Sequence, residues 1–425
     1  MNTRMDRSRL HIGAYLLQAY ARTEQHIKDV AESGVDHIIY VHSGAYDTFD
    51  LFEKYGLGVV TWGPLPHWGG EGYGYVGRME EKFPMSRYTD PAESYKDHPA
   101  VWGLDVGDEP NAADFPYIGK IVDTVNAMYP NQFAYLNLYP NYARVVENTG
   151  DEIKSDLGTM TYQEYIDRYC EYIPTDYISF DFYLYYGMPD KNYPEYGLGV
   201  ADYYENLRLV SEACRNTGRS LWLVAQLNSP VPEVFTSVNQ MRFQAFTAMT
   251  FGVENIMWGC YTSGWWTNQV LDEQGNKTEQ YEKLKQVNKE VRTMADEYMK
   301  YRNVYTHFTG LKTLSYYHFI EEKLKQESKD SVNTGVFFDV KADNGAALTI
   351  GQMVSRNNDG SHALMICASD DPYDFENRSY NIVFRAGCKT IRAIGGEGEI
   401  PVTVLEDGSY SVPISSNKGI LIIAE

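Results

Sequence analysis

The chain has 425 residues and a formal net charge of -21, from 37 Lys and Arg against 58 Asp and Glu. This length exceeds one small domain and fits a barrel of about 250 residues with a smaller module beside it. The charge repels phosphate backbones and anionic membranes, which argues against a nucleic-acid partner and favours a neutral or cationic ligand.

Hydrophobic residues at 43% and charged residues at 22% suffice for a sizeable core. The 36 Tyr supply side chains with an apolar face and a hydroxyl, a mixture that sugars also present. The N-terminal stretch MNTRMDRSRL has no apolar leader segment, and no run of about 18 apolar residues occurs, so membrane insertion is not expected. Compartment stays open between the cytoplasm and a periplasmic or secreted location reached with a leader since removed. Cys170, Cys214, Cys260, Cys367 and Cys388 are widely spaced, without a CxxC pair or a Cys/His cluster, so neither a metal nor a cofactor is expected. Oligomeric state is not legible in the pattern.

In chain order, short apolar runs alternate with longer amphipathic segments. The runs are HIGAYLL from His11, DHIIYVH from Asp36, LGVVTWG from Leu57, VWGLDVG from Val101, FAYLNLY from Phe133, DYISFDFY from Asp176, SLWLVAQ from Ser220 and NIMWGCY from Asn255. Helical patterns lie between them, among them RTEQHIKDVAESG, AYDTFDLFEKYG, the stretch around DPAESYKDHPA and ADFPYIGKIVDTVNAMYP, and TEQYEKLKQVNKEVRTMADEYMKYR follows the last run. Eight βα units predict a closed (β/α)8 barrel, an α/β fold, over residues 1–302. An open doubly wound sheet would show a Gly-rich phosphate turn after an early strand, and none is present. Residues 303–425 turn to short strands with Gly, Asn and Asp turns, such as GVFFDV, ALTIGQMV, HALMICAS and GILIIAE, which predicts an all-β sandwich as an accessory domain. The boundary falls between Tyr301 and Thr309.

A (β/α)8 barrel carries its functional groups at the C-terminal ends of the strands. Here those ends hold His42 and Ser43, then Trp62, His67 and Trp68, then Asp108 and Glu109. Further on come Asn137, Tyr139 and Asn141, then Asp181 and Tyr183, then Gln226 and Asn228, then Trp258, Tyr261, Trp265 and Trp266. Acids, amides and indoles converging in this way describe a wet cleft with aromatic walls.

Glycoside hydrolysis needs a proton donor at the leaving oxygen and a second carboxylate. Glu109, on a strand end beside Pro110, is the candidate donor. Strand neighbours face opposite ways, so Asp108 is expected to orient a sugar hydroxyl instead of pairing with Glu109. A plainer reading of Asp-Glu-Pro is a helix N-cap ahead of ADFPYIGK. Asp181 has a plainer reading too, as an acid that fixes the barrel mouth. His67 is expected to be exposed or to contact sugar, Asp272 and Asn276 to serve a turn, and His11, His26 and His307 show no suggestive partners.

With GDEP on the fourth strand, an aromatic eighth strand and the later VLDEQGNKTEQYEKLKQVNKEV, residues 11–302 resemble the clan A glycoside hydrolases, particularly family 42 β-galactosidases and their gut-bacterial relatives. In that clan the fourth strand ends in Asn-Glu, with Glu as acid/base, and a second Glu ending strand seven is the nucleophile. The resemblance implies Glu109 as acid/base, Asp108 in the Asn position and Trp258 as a sugar-stacking wall. Strand seven departs from it, since SLWLVAQ puts Gln226 at the nucleophile position and an amide cannot form a glycosyl ester. Asp181 as the base of an inverting reaction, a nucleophile from the substrate, and a cleft that only binds all remain open, with Glu233 in the following loop a weaker candidate. The expectation is a glycosidase acting on a neutral oligosaccharide or glycoside, with Glu109 and Asp181 catalytic. Asp108, Asn137, Tyr183, Gln226, Trp258, His67 and Trp62 would hold the sugar. The alternative is a non-catalytic carbohydrate-binding protein on a glycosidase scaffold.

Overall fold

The computed structural model describes residues 4–42, 45–62, 75–147, 152–186, 195–232, 234–326, 328–373, 377–388 and 390–425. Eight parallel strands close a barrel in chain order: β1 (His11–Tyr15), β2 (His37–His42), β3 (Gly58–Trp62), β4 (Val101–Asp108), β5 (Phe133–Leu138), β6 (Tyr177–Phe182), β7 (Ser220–Gln226) and β8 (Val253–Gly259), with β8 pairing back onto β1. Each coincides with an apolar run of the sequence. Both faces of a parallel barrel strand are buried, so polar residues are confined to its ends and to a few interior positions.

Side chains alternate across the barrel wall except at irregularities such as that in β2, where Ile39 and the left-handed Tyr40 both join the interior cluster. Tyr15, Tyr135, Tyr177, Trp222 and Met257 fill the interior, while Ala14, Leu136, Ile178, Leu223 and Ile256 face the surrounding helices. At the N-terminal end of the barrel the Arg7 guanidinium lies 4.5 Å from the Trp222 ring centre and 5.2 Å from that of Phe133, and pairs with Asp176 at 2.9 Å. Nearby, Asp36 accepts from His11 at 3.1 Å and His37 at 2.7 Å, and Arg292 reaches it at 2.6 Å. His11, His26 and His307 therefore do have partners: the ring of His26 closes a capping box with Thr23, and His307 meets Gln352 at 3.0 Å.

The helices are α1 (Glu24–Glu32), α2 (Tyr46–Lys54), α3 (Met79–Lys82), α4 (Ser86–Ala92), α5 (Phe115–Met128), α6 (Tyr162–Tyr172), α7 (Tyr196–Thr217), α8 (Val238–Thr250) and α9 (Glu279–Tyr298). The segment expected to be helical around DPAESYKDHPA is only the tail of α4, which ends at Ala92, and turns carry the chain from there to Pro99 and β4. Asp272 takes its turn role, accepting from the amides of Gln274 at 2.9 Å and Asn276 at 2.8 Å. Helix α8 is buried along nearly its whole length, including Gln244, Thr247 and Thr250, because barrel and sandwich cover opposite sides of it.

The sandwich begins earlier than its apolar runs suggest. Tyr301–Thr309 is a strand, β9, at the edge of a six-stranded antiparallel sheet with β11 (Leu348–Ser355), β12 (His362–Ala368), β14 (Ile391–Gly395), β15 (Gly398–Ile400) and β18 (Gly419–Ala424). A four-stranded sheet of β10 (Phe337–Ala342), β13 (Ser379–Ala386), β16 (Thr403–Val404) and β17 (Tyr410–Ser415) covers its other face. Ile350, Leu364, Ile382, Val412 and Ile422 form the core between them. A short helix absent from the sequence reading, α10 (Tyr317–Leu324), packs on α7. The outward face of the larger sheet presents Met353, Met365, Leu421 and Ile423 to the same apolar core as Phe246 of α8. Glycines permit this approach: a Cβ on Gly351 would lie 2.2 Å from the Thr250 carbonyl oxygen. Among the described residues no helix is long and apolar enough to cross a membrane.

Candidate active site

Strand β4 ends at Asp108, and the next residue, Glu109, adopts a left-handed backbone with φ of 48°. Such a conformation is uncommon for a residue with a Cβ and costs roughly 1–3 kcal/mol. It is held by the Glu109 amide, which donates to the Asn137 carbonyl at 2.9 Å. The left-handed turn breaks strand alternation, and both acids act electrostatically on Asp181 across the mouth, contrary to the expectation that they face opposite ways. Neither caps a helix; that role falls to Asn111, whose side-chain oxygen accepts from the Ala113 amide at 2.9 Å.

Asn137 ties the acids together. Its Nδ2 donates to Asp181 Oδ1 at 2.8 Å and to Asp108 Oδ1 at 3.3 Å, while its Oδ1 accepts from Ser179 Oγ at 2.9 Å. Ser179 lies 3.4 Å from the Tyr135 hydroxyl, which is hydrogen-bonded to that of Tyr15. The column thus runs from the barrel interior to its mouth through inward positions of β1, β5 and β6. Sequence reasoning missed Tyr15, Tyr135 and Ser179, although a step of two residues back from Asn137 and Asp181 leads to Tyr135 and Ser179.

Burial, then the Asp181 and Asp108 carboxylates, push the Glu109 carboxyl well above the usual range. Burial and Asp108 push Asp181 up as well, while the Asn137 amide and the Glu109 proton pull it back. Glu109 and Asp181 are neighbours at the mouth, and burial together with the surrounding acids raises both carboxyls. Two carboxyls this close hold one proton between them.

Aromatic side chains wall the mouth. The half-buried Tyr183 meets Trp266 edge to face at 4.9 Å between ring centres and Trp265 at 6.1 Å. Trp266 in turn meets Tyr186, which is 57% exposed, and Tyr142 is 50% exposed over Phe182. The loop carrying the two indoles is pinned: Thr267 and Ser229 exchange backbone hydrogen bonds of 2.9 and 3.1 Å, and Asn268 Nδ2 donates to the Val234 carbonyl at 2.7 Å. Trp266 and Asn268 both have left-handed backbones. The buried Nε1 of Trp265 has no acceptor among the described residues.

Two expected sugar contacts lie elsewhere. Trp258 occupies an outward position of β8, where its Nε1 donates to Asn288 of α9 at 2.9 Å. The inward residue at that level is Gly259, where a Cβ would stand 3.0 Å from the Trp265 ring, so an indole delivered by the following loop takes the wall position. Gln226 is buried, with its Oε1 accepting from the Tyr185 amide at 2.7 Å and its Nε2 donating to the Asn228 carbonyl at 3.0 Å. Both ends of this amide therefore join the loops after β6 and β7 instead of facing a ligand. His67 and the side chain of Trp62 lie outside the described residues, as do Ser43, Trp68 and Glu233.

Among the described residues, the buried group with metal-ligand spacing is His11, Asp36 and His37 at the opposite end of the barrel. Its ligand atoms are already engaged by one another, by Arg292 and by the Asp6 carbonyl at 2.7 Å, so they do not fit a metal ion.

No family profile and no curated protein matches the chain. Among solved structures it is similar to an endo-β-1,4-mannanase from Thermotoga petrophila, at 9% identity and a TM-score of 0.46, over 97% of this chain and 99% of the other. It is similar also to xylanase 10B from Thermotoga maritima, at 13% identity and a TM-score of 0.43, over 66% of this chain and 95% of the other. A third is the endoglucanase Cel5A from Pseudomonas stutzeri, at 14% identity and a TM-score of 0.42, over 65% and 93%. The fold assignment rests on the closed strand order itself.

Proposed function

We propose that the protein is a glycoside hydrolase acting on a neutral oligosaccharide or glycoside, with Glu109 as general acid. The observation that carries this reading is the carboxyl pair at the barrel mouth, where burial and the neighbouring Asp181 and Asp108 carboxylates raise Glu109 well above the usual carboxyl range. A general acid has to be protonated yet able to donate, and a raised carboxyl meets both needs. Tyr183, Trp265 and Trp266 supply apolar faces for sugar rings.

Asp181 serves in this reading as the partner that holds and returns the proton. Asp108 orients a sugar hydroxyl, and Asn137, its amide engaged with both acids and with Ser179, keeps Asp181 in place.

Incubation with a panel of aryl glycosides and neutral oligosaccharides, with the product anomer followed by NMR, tests the reading. Turnover that disappears in Glu109→Gln while sugar binding persists supports it; unchanged turnover of a cleaved glycoside in that variant refutes it. The second reading, a cleft that only binds, is favoured by Gln226, whose amide is spent on the scaffold at the place of the usual nucleophile. Saturable sugar binding without cleavage anywhere in the panel would favour it.

A further inference from the structure

A second cavity, of about 280 Å³, opens at the N-terminal end of the barrel, where α7, β8 and β9 meet. In a chain of net charge -21, its lining holds Arg7, Arg215, Arg219, Arg302 and Arg356 against a single acid, Glu254. That acid is already committed to Arg356 and to Ser220 Oγ, the latter at 2.5 Å. Arg215 is turned toward Ser211 at 2.6 Å and Asn303 at 2.8 Å, both uncharged.

The remaining guanidinium groups are underused. Arg219 donates one Nη2 bond to the Cys170 carbonyl at 3.1 Å, and its buried Nη1 has no acceptor among the described residues. Arg7 pairs with Asp176 through Nη2 at 2.9 Å, while its buried Nε has no acceptor among the described residues. Arg302, exposed on β9, has no hydrogen-bond or ion-pair partner among the described side chains. Burial pushes the Arg7 and Arg215 guanidinium groups below their usual range, so gathering these charges here carries a desolvation cost that the described groups only partly offset.

We infer that this arginine-lined cavity is a binding site for a small phosphate-bearing molecule, remote from the barrel mouth. Guanidinium forks match the oxygens of phosphate and carboxylate, and their charge-assisted bonds are the strong ones. The volume admits an organic group beyond the anion itself, with Tyr301 and Phe251 among the lining residues to cover it. The inference is independent of the glycosidase reading, because the site lies at the opposite end of the strands from Glu109.

Isothermal titration calorimetry of the full chain at constant ionic strength tests it, with inorganic phosphate, glucose 6-phosphate and citrate as probes. Saturable one-site binding of both phosphate compounds is expected. Arg219→Gln combined with Arg302→Gln should weaken it about tenfold or more, as expected for two lost charge-assisted donors. Arg302→Gln alone removes an exposed, unpartnered side chain and should weaken binding without moving the ligand-free melting temperature. Heat that fails to saturate, or affinity unchanged in both variants, would overturn the site; citrate binding with both phosphates silent would overturn its assignment to phosphate.

Discussion

The carboxyl groups of Glu109 and Asp181 are neighbours at the barrel mouth, and Asn137 holds Asp181 from below at 2.8 Å. One acid reaches this place by a left-handed turn off β4, the other by the inward alternation of β6.

If Glu109 delivers the proton, Glu109→Gln should lower kcat by about 10²–10⁴-fold, the range for general acid catalysis. The circular dichroism spectrum should be unchanged, because the amide keeps the volume. Steady-state kinetics on the best glycoside of the panel checks this, and poor leaving groups should suffer more than activated aryl ones.

The shared proton has a consequence for stability. Both carboxyl pKa values are raised in the fold, so the native state binds more protons than the unfolded chain. Stability should therefore fall as pH rises from the ordinary Glu range, about 4.3, toward neutrality. Asp181→Asn should relieve roughly 1 kcal/mol or more at pH 7 and nothing near pH 4, each pKa unit being worth about 1.4 kcal/mol. Urea titrations of both proteins across that window measure it; a stabilisation independent of pH would contradict the shared proton.

Asn137→Ala removes the amide that holds the Asp181 carboxylate at 2.8 Å. The acidic limb of the kcat/KM profile should move to higher pH, because the lost donor had favoured ionised Asp181, the form present when Glu109 carries the proton. A uniform loss of activity without movement of the limb would indicate a packing role only.

The contact between barrel and sandwich can be tested at Gly351. A methyl group there would press on the Thr250 carbonyl oxygen at 2.2 Å, and backbone cannot yield cheaply. Gly351→Ala should cost about 1–3 kcal/mol, the usual price of overpacking. Chemical denaturation reads the loss, and kcat of the folded protein should be preserved.

The buried pair of Arg242 on α8 and Glu290 on α9, with side chains only 8% and 9% exposed, should behave asymmetrically. Arg242→Met alone leaves a buried, unpaired carboxylate and should cost about 3–5 kcal/mol. Arg242→Met with Glu290→Leu should recover most of that loss, because neither charge is then left unpaired. Equal losses in the single and double variants would mean that packing, not charge, sets the cost.

The barrel was legible in the chain because a parallel strand buried on both faces must read as an apolar run, and the eight runs coincide with β1–β8. Strand ends were legible too, so Asp108, Glu109, Asn137 and Asp181 could be named before any coordinates. Residue types along one strand do not reveal how its end turns, and three features followed only from tertiary structure. The left-handed turn at Glu109 depends on the Asn137 carbonyl of a neighbouring strand. Trp258 faces outward and Trp265 the mouth, because the inward position at the end of β8 belongs to Gly259. Gln226 looked like a nucleophile replaced, yet its amide is consumed by the backbone of Tyr185 and Asn228, one of them in another loop. Local patterning determined which segments are strands, since burial leaves its mark residue by residue. Which side chains share a proton, a wall or a cavity was decided by closure of the barrel, which brings together groups far apart in the chain.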